Sequence, residues 1–174
     1  ESLTLKLNIE GCRIAKRAIE KYRAQSGYDG RPLFVAGSIG PSNYVVSSTE
    51  ANLNKGVFGQ IVENFYHQVL GLIEGGADVL LIETQQDILE TKAIIVGANK
   101  AFDEKKTKLP MIVQATVDVF SKMQIFNTDI HAAYTAVSKM GIDVFGINCN
   151  VGPVEMVETV EKLSRFCRHP ISVV

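Results

Sequence analysis

Four short apolar runs in this chain are each followed at once by residues able to do chemistry. Residues 33–37 lead into Ser38, Ile39, Gly40, Pro41, Ser42 and Asn43, and residues 78–82 into Glu83, Thr84, Gln85, Gln86 and Asp87. Residues 110–115 lead to Thr116 and Asp118. Residues 143–147 lead into Asn148, Cys149, Asn150, Val151, Gly152 and Pro153. A carboxylate at the end of a buried run needs a partner, because burying an unpaired charge is costly. Glu83 therefore reads either as a ligand-binding or catalytic group or as half of a structural ion pair. Cys149, flanked by two asparagines, is placed better for chemistry than Cys12 or Cys167, both of which fall in helical patterns and read as packing residues. Its plainer reading is an inert small residue, the usual state of a free cysteine.

Several chemistries are disfavoured by the same residues. A thiolate nucleophile needs a neighbouring base, yet His67 and His131 lie in helical patterns and His169 precedes a proline at the start of a strand. One cysteine does not make a zinc site, which takes four ligands or three and an open position. Gly37-Ser38-Ile39-Gly40 is neither a dinucleotide fingerprint nor a phosphate loop and reads as a tight turn. Asp87 is a good helix N-cap, with Glu90 three residues on in a loose capping-box pattern. Thr116 and Asp118 read as loop hydrogen-bonding residues.

The elements that must position these groups alternate regularly. The apolar runs 33–37, 78–82, 110–115, 143–147 and 170–174 are continuous, as in strands buried on both faces. Between them lie segments with helical spacing at 9–25, 57–75, 88–105, 129–140 and 153–166. Gly75-Gly76 suits a helix C-cap and Pro153 a first helical position. Sequential strand–helix units imply right-handed crossovers and a mostly parallel sheet, so the chain reads as one α/β domain over residues 1–174. The carboxyl ends of parallel strands share one face, where ligands bind in both barrels and open sheets. Glu83, Asn148 and Cys149 then converge there although far apart in sequence. Residues 41–55, polar and rich in Ser and Asn, read as a long strand-to-helix loop.

Composition bounds the rest. The chain has 174 residues, 46% hydrophobic and 21% charged, which argues for a folded globular unit and against disorder. A net charge of -1 gives no electrostatic footprint for nucleic acid or an anionic membrane. The apolar runs are too short to span a bilayer and no signal peptide opens the chain. Three cysteines give no disulfide framework, so a reducing, cytoplasmic compartment is expected. The chain begins with Glu1 rather than Met, which leaves its natural start open.

Three segments together resemble the homocysteine S-methyltransferase family: residues 34–43 (FVAGSIGPSN), 75–84 (GGADVLLIET) and 145–153 (FGINCNVGP). They occur in the family's order and spacing, and the resemblance covers essentially the whole chain. Gly152-Pro153 after Cys149 favours the cobalamin-dependent branch. The resemblance implies a parallel (β/α)8 TIM barrel, present here as a partial barrel from about the second helix to the seventh strand. It implies that Cys149 is the first of three cysteine ligands to zinc, that Glu83 binds the amino group of homocysteine and that Asn148 lines the same pocket. It also implies transfer of a methyl group from methylcobalamin, regenerated from methyltetrahydrofolate, to the zinc-bound homocysteine thiolate, giving methionine. The cobalamin would be carried on another module, with cobalamin-binding and folate-binding modules of the same protein as partners.

The sequence departs from the family in three ways. It has no adjacent cysteine pair to complete the zinc site, it lacks the opening Asp-Gly-Ala-Met-Gly type motif, and residues 120–129 contain no glycine. The activity is therefore expected of the whole barrel, with residues 1–174 inactive alone. The alternatives are a branch using betaine or S-methylmethionine, a non-catalytic α/β ligand-binding domain with an inert Cys149, and an open flavodoxin-like sheet.

Overall fold

The structure is a computed structural model that describes residues 2–49 and 57–174. The loop read over 41–55 thus lies outside the described residues from position 50. The element order is α1 (Leu3–Arg23), β1 (Ala36–Ile39), α2 (Phe58–Gly75), β2 (Val79–Gln85), α3 (Ile88–Lys105), β3 (Met111–Ala115), α4 (Ile130–Val137), β4 (Val144–Ile147), α5 (Pro153–Phe166) and β5 (Ile171–Val173). The helix ends follow local chemistry. Gly76, left-handed at φ 88°, closes α2 by donating its N–H to the carbonyls of Leu72 and Ile73, and Asp87 caps α3. α1 begins six residues earlier than the periodicity predicts, because the Ser2 hydroxyl accepts the Leu5 N–H and caps it.

All five strands are parallel and lie in chain order β1-β2-β3-β4-β5. A flavodoxin-like sheet places its first strand inside, in the order 2-1-3-4-5. Here β1 is at an edge, which removes that alternative. The helices form a single file, with α1 on α2, α2 on α3, α3 on α4 and α4 on α5.

The file covers one face of the sheet. Gly37, Ile39, Leu80, Ile82, Met111, Val113, Phe145 and Ile147 alternate along the strands on that face and are buried, with Leu72 of α2 seated against Gly37. At the intervening positions Ala36 and Ser38 are exposed, and Leu81, Ile112 and Val144 are half-buried. The expectation of strands buried on both faces thus holds for one face only in these residues. Each large side chain buried under the helices contributes about 1.5–3 kcal/mol.

Two strand limits differ from the sequence reading. β1 starts at Ala36 rather than at residue 33, because the Asp78 carboxylate takes the Val35 N–H at 2.7 Å and the Lys16 ammonium at 2.6 Å, tying the preceding chain to a side chain instead of a ladder. β2 extends three residues past Ile82, to Gln85. Ser38, Glu83 and Thr84 therefore lie within strands rather than after them.

The helix file depends on close approach. A Cβ on Gly75 would sit 2.7 Å from the Ile9 carbonyl oxygen of α1, and one on Gly97 would sit 2.7 Å from the Val62 oxygen and 2.9 Å from the Tyr66 nitrogen of α2. Gly97→Ala gains about 1 kcal/mol of helix propensity but costs about 1–3 kcal/mol in overpacking against backbone. The intact protein carrying Gly97→Ala should melt at a lower temperature. Gly59→Ala, in α2 and facing open space, should raise it. Calorimetry of both variants checks the opposite signs.

Candidate active site at the carboxyl ends of the strands

The site is built around a β-bulge. Ile82 pairs with Val113 and Gln85 with Ala115, so Glu83 and Thr84 together oppose the single residue Gln114. Thr84 sits at φ 60°, a genuine outlier for a β-branched residue. Asn148, which follows β4, holds it there from across the end of β3. Its Oδ1 accepts the Thr84 N–H at 2.9 Å, and its Nδ2 donates to the Thr84 hydroxyl at 2.9 Å. The Asn148 backbone is fixed in turn: its N–H donates to the Ala115 carbonyl at 3.2 Å, and its carbonyl accepts the Thr116 hydroxyl at 3.1 Å. Thr116 thus serves in hydrogen bonding, as does Asp118, whose Oδ1 accepts the Phe120 and Lys122 N–H groups.

Glu83 is half-buried, and its carboxylate accepts the hydroxyl of Ser38 on β1 at 2.5 Å. Among the described residues no cation forms an ion pair with it. Its neighbour Thr84 and Asn148 form one hydrogen-bonded couple, and Cys149 directly follows Asn148. Glu83 and Cys149 are therefore each one residue from the two ends of the same contact, which brings the predicted residues to one edge of the sheet.

Cys149 is exposed, and both it and Asn150 are left-handed, at φ 65° and 69°. Its N–H donates to the Val174 carbonyl at 3.3 Å. Asn150 secures the turn by donating to the Val117 carbonyl at 2.9 Å and accepting from Gln124 at 2.6 Å. A largely apolar groove of about 480 Å³ opens beside Cys149 between α5 and the end of β5, lined by Val151, Met156, Val160 and Val174. The other two thiols differ. Cys12 is buried, and burial pushes its thiol pKa up. Cys167 is not within a helix, as its pattern predicts, but is the extended residue that ends α5, with its thiol donating to the His169 carbonyl at 3.4 Å.

No histidine serves Cys149. His67 lies 3.4 Å from Glu63 on α2, His131 stacks on Phe166, and His169 meets the Tyr134 hydroxyl at 3.1 Å. Among the described residues no three His, Cys, Asp or Glu side chains converge to hold a metal. These residues alone do not fit a zinc ion; Cys149 offers one exposed donor of the right kind.

Two buried carboxylates strap the loop after β1 onto α3. Asp87 caps α3 by accepting the Leu89 and Glu90 N–H groups, and the same carboxylate takes the N–H and hydroxyl of Ser47. Glu90 does not complete the capping box. It accepts the Ser42 N–H at 2.8 Å instead. Burial pushes the Glu90 carboxyl pKa above its ordinary value, the nearby Asp87 charge adds to this, and the Ser42 bonds oppose it.

Comparison with known proteins decides the family. The homocysteine S-methyltransferase family model matches residues 1–174. This chain belongs to that family. It is 34% identical over 167 residues to methionine synthase of Mycobacterium tuberculosis, covering 96% of this chain and 13% of that protein. It is 34% identical over 140 residues to methionine synthase of Mycobacterium leprae, covering 80% of this chain and 11% of that one. The chain thus spans a small part of the length of these relatives. The fold is similar to that of the homocysteine methyltransferase MmuM from Escherichia coli in its apo form, with a TM-score of 0.76 at 20% identity over 97% of this chain and 58% of that one. Among the described residues no helix is long and apolar enough to cross a membrane.

Ser38, Ser42 and Thr84 stand where the sequence places polar groups, but their partners, together with Gln124 and Ser47, escape a sequence reading. Hydroxyl and amide residues in loops carry no period, and a bulge leaves no mark in an apolar run.

The Glu90 pKa has a consequence for stability. Because the folded-state value lies above the unfolded one, the contribution of Glu90 is complete at acid pH and is lost as the pH rises through the raised value. Glu90→Gln keeps an acceptor for the Ser42 N–H and cannot ionise. It should melt above the natural protein at pH 7, with the gap closing near pH 4. A constant gap across that range would contradict the buried-carboxyl account.

Proposed function

We propose that this chain is part of the homocysteine-binding module of a methionine synthase, and that its five strands are the third to seventh of a (β/α)8 barrel. Similarity to the mycobacterial methionine synthases and to MmuM supports this reading. So does the chain-ordered parallel sheet with helices on one face, the arrangement a barrel continues on both sides. The observation that carries the assignment is the placing of Glu83 and Cys149 at the two ends of the Asn148–Thr84 couple, on the edge of the sheet where such folds bind ligands.

In this reading Glu83 accepts hydrogen bonds from the ammonium of homocysteine, a charge-assisted contact, and the Ser38 hydroxyl holds its carboxylate toward the open face. Asn148 lies in the same pocket wall. Cys149 is one of three cysteine ligands to zinc, the other two coming from outside residues 1–174. Zinc, when bound, lowers the pKa of a thiol and keeps it as thiolate. The methyl donor is methylcobalamin, carried by a cobalamin-binding module and replenished through a folate-binding module, and the reaction is cytoplasmic. Residues 1–174 alone are inactive, because a single thiolate does not hold the metal and β5 and the groove beside it lack the strand that would cover them. Methyl transfer from methylcobalamin, betaine and S-methylmethionine, compared in the full-length protein, separates this donor from those of the other branches.

Removing one charged partner in a buried site costs about 2–5 kcal/mol, or roughly 30-fold or more in affinity. Glu83→Gln in the full-length protein should weaken homocysteine binding by that much and leave zinc in place. Cys149→Ser should lose the zinc, while Cys12→Ala and Cys167→Ala retain it. Calorimetric titration and elemental analysis check these outcomes. Unchanged homocysteine affinity sinks the role of Glu83, and equal metal loss in all three cysteine variants sinks that of Cys149.

A further inference from the structure

We propose that Asn148 is a positioning residue that acts through Thr84 to hold the Glu83 carboxylate in its binding pose, rather than a group that touches the substrate itself. This rests on the assignment of Glu83 to the substrate ammonium. The side chain of Asn148 is buried, at 5% exposure, and both ends of its carboxamide are taken up by one residue, Thr84. That residue needs holding. A left-handed conformation at a non-glycine residue costs about 1–3 kcal/mol and persists only when its surroundings over-determine it.

The bulge that Thr84 completes has a defined effect on its neighbours. In a regular strand Glu83 and Gln85 would share the open face and oppose Gln114 and Thr116. With the extra residue, Glu83 and Thr84 oppose Gln114 together, and Gln85 is paired with Ala115 and fully buried. Glu83 keeps the open face, within reach of Ser38 on β1, while Gln85 is turned away from it. Asn148 reaches this bulge from the residue after β4, a strand that does not pair with β2. The contact therefore braces the Glu83 segment from the end of β4, while the Cys149 turn is held separately by Val174, Val117 and Gln124.

A double-mutant cycle in the full-length protein tests this, with homocysteine affinity from calorimetric titration and zinc from elemental analysis. Asn148→Ala should weaken homocysteine binding about tenfold in the natural background but less than about twofold in the Glu83→Gln background, because interaction through a shared partner is non-additive. Zinc per chain should not change. Asn148→Asp presents two oxygens that can accept the Thr84 N–H and hydroxyl, so it should restore affinity to within about threefold of the natural protein. If Asn148→Ala does not fold, Thr84→Val, which removes only the hydroxyl half of the couple, takes its place with the same pattern expected.

Equal weakening by Asn148→Ala in both backgrounds overturns the proposal, since the residue would then act on its own contact. So does loss of zinc in Asn148→Ala, which would place its action on the Cys149 turn, and so does failure of the Asn148→Asp rescue. An unchanged affinity in Glu83→Gln alone overturns the Glu83 assignment and this inference with it. A weakened Glu83→Gln with additive Asn148→Ala overturns only the inference.

Discussion

The Asn148 side chain reaches over the end of β3 and grips the backbone and hydroxyl of Thr84, two strands away. The arrangement of the site depends on this contact. Without it the φ of 60° at Thr84 has no compensation, and a β-branched residue would return to the extended region that its strand favours. The bulge would then close, and Gln85 would leave its pairing with Ala115 and return to the open face beside Glu83. The same asparagine begins the left-handed turn that exposes Cys149. A carboxylate on one strand and a thiol beyond another thus flank a single pair of hydrogen bonds.

What makes the contact possible is the sheet beneath it. Five parallel strands in chain order bring all the carboxyl ends to one edge, and one file of helices covers one face. Close packing through Gly75 and Gly97 sets the helices against each other backbone to backbone, which fixes the strands below them within narrow limits. The opposite face mixes Leu81, Ile112 and Val144 with the small or polar Ala36, Ser38 and Gln114, and a glycine at Gly146 lets the Gln114 amide pass over β4 to the Ser172 hydroxyl at 2.7 Å. The loop after β1 is tied through Ser42 and Ser47 to Glu90 and Asp87, two buried carboxylates at the start of α3.

Much of this was legible in the residues. The limits of α3 and α5 follow from Asp87 and from Pro153, whose cap and ring fix the first turn. Cys149 stands apart from Cys12 and Cys167 by its place after an apolar run, and it alone of the three is exposed. The start of α1 was hidden because Ser2 precedes the periodic stretch. The start of β1 was hidden because Asp78, a residue 43 positions away, decides where the ladder begins. The bulge at Glu83-Thr84 was the deepest omission. A left-handed threonine contradicts local preference and exists only because Asn148, 64 positions further on, stabilises it.

A crystal structure of the full-length protein with zinc and homocysteine bound tests the central claim most directly. The account predicts the homocysteine nitrogen at about 2.7–2.9 Å from a Glu83 carboxylate oxygen, the usual length for a charge-assisted pair. It also predicts the homocysteine sulfur on a metal that Cys149 ligates, and the Asn148–Thr84 couple intact beneath them. Homocysteine bound away from the strand carboxyl ends, or a metal held without Cys149, would contradict it.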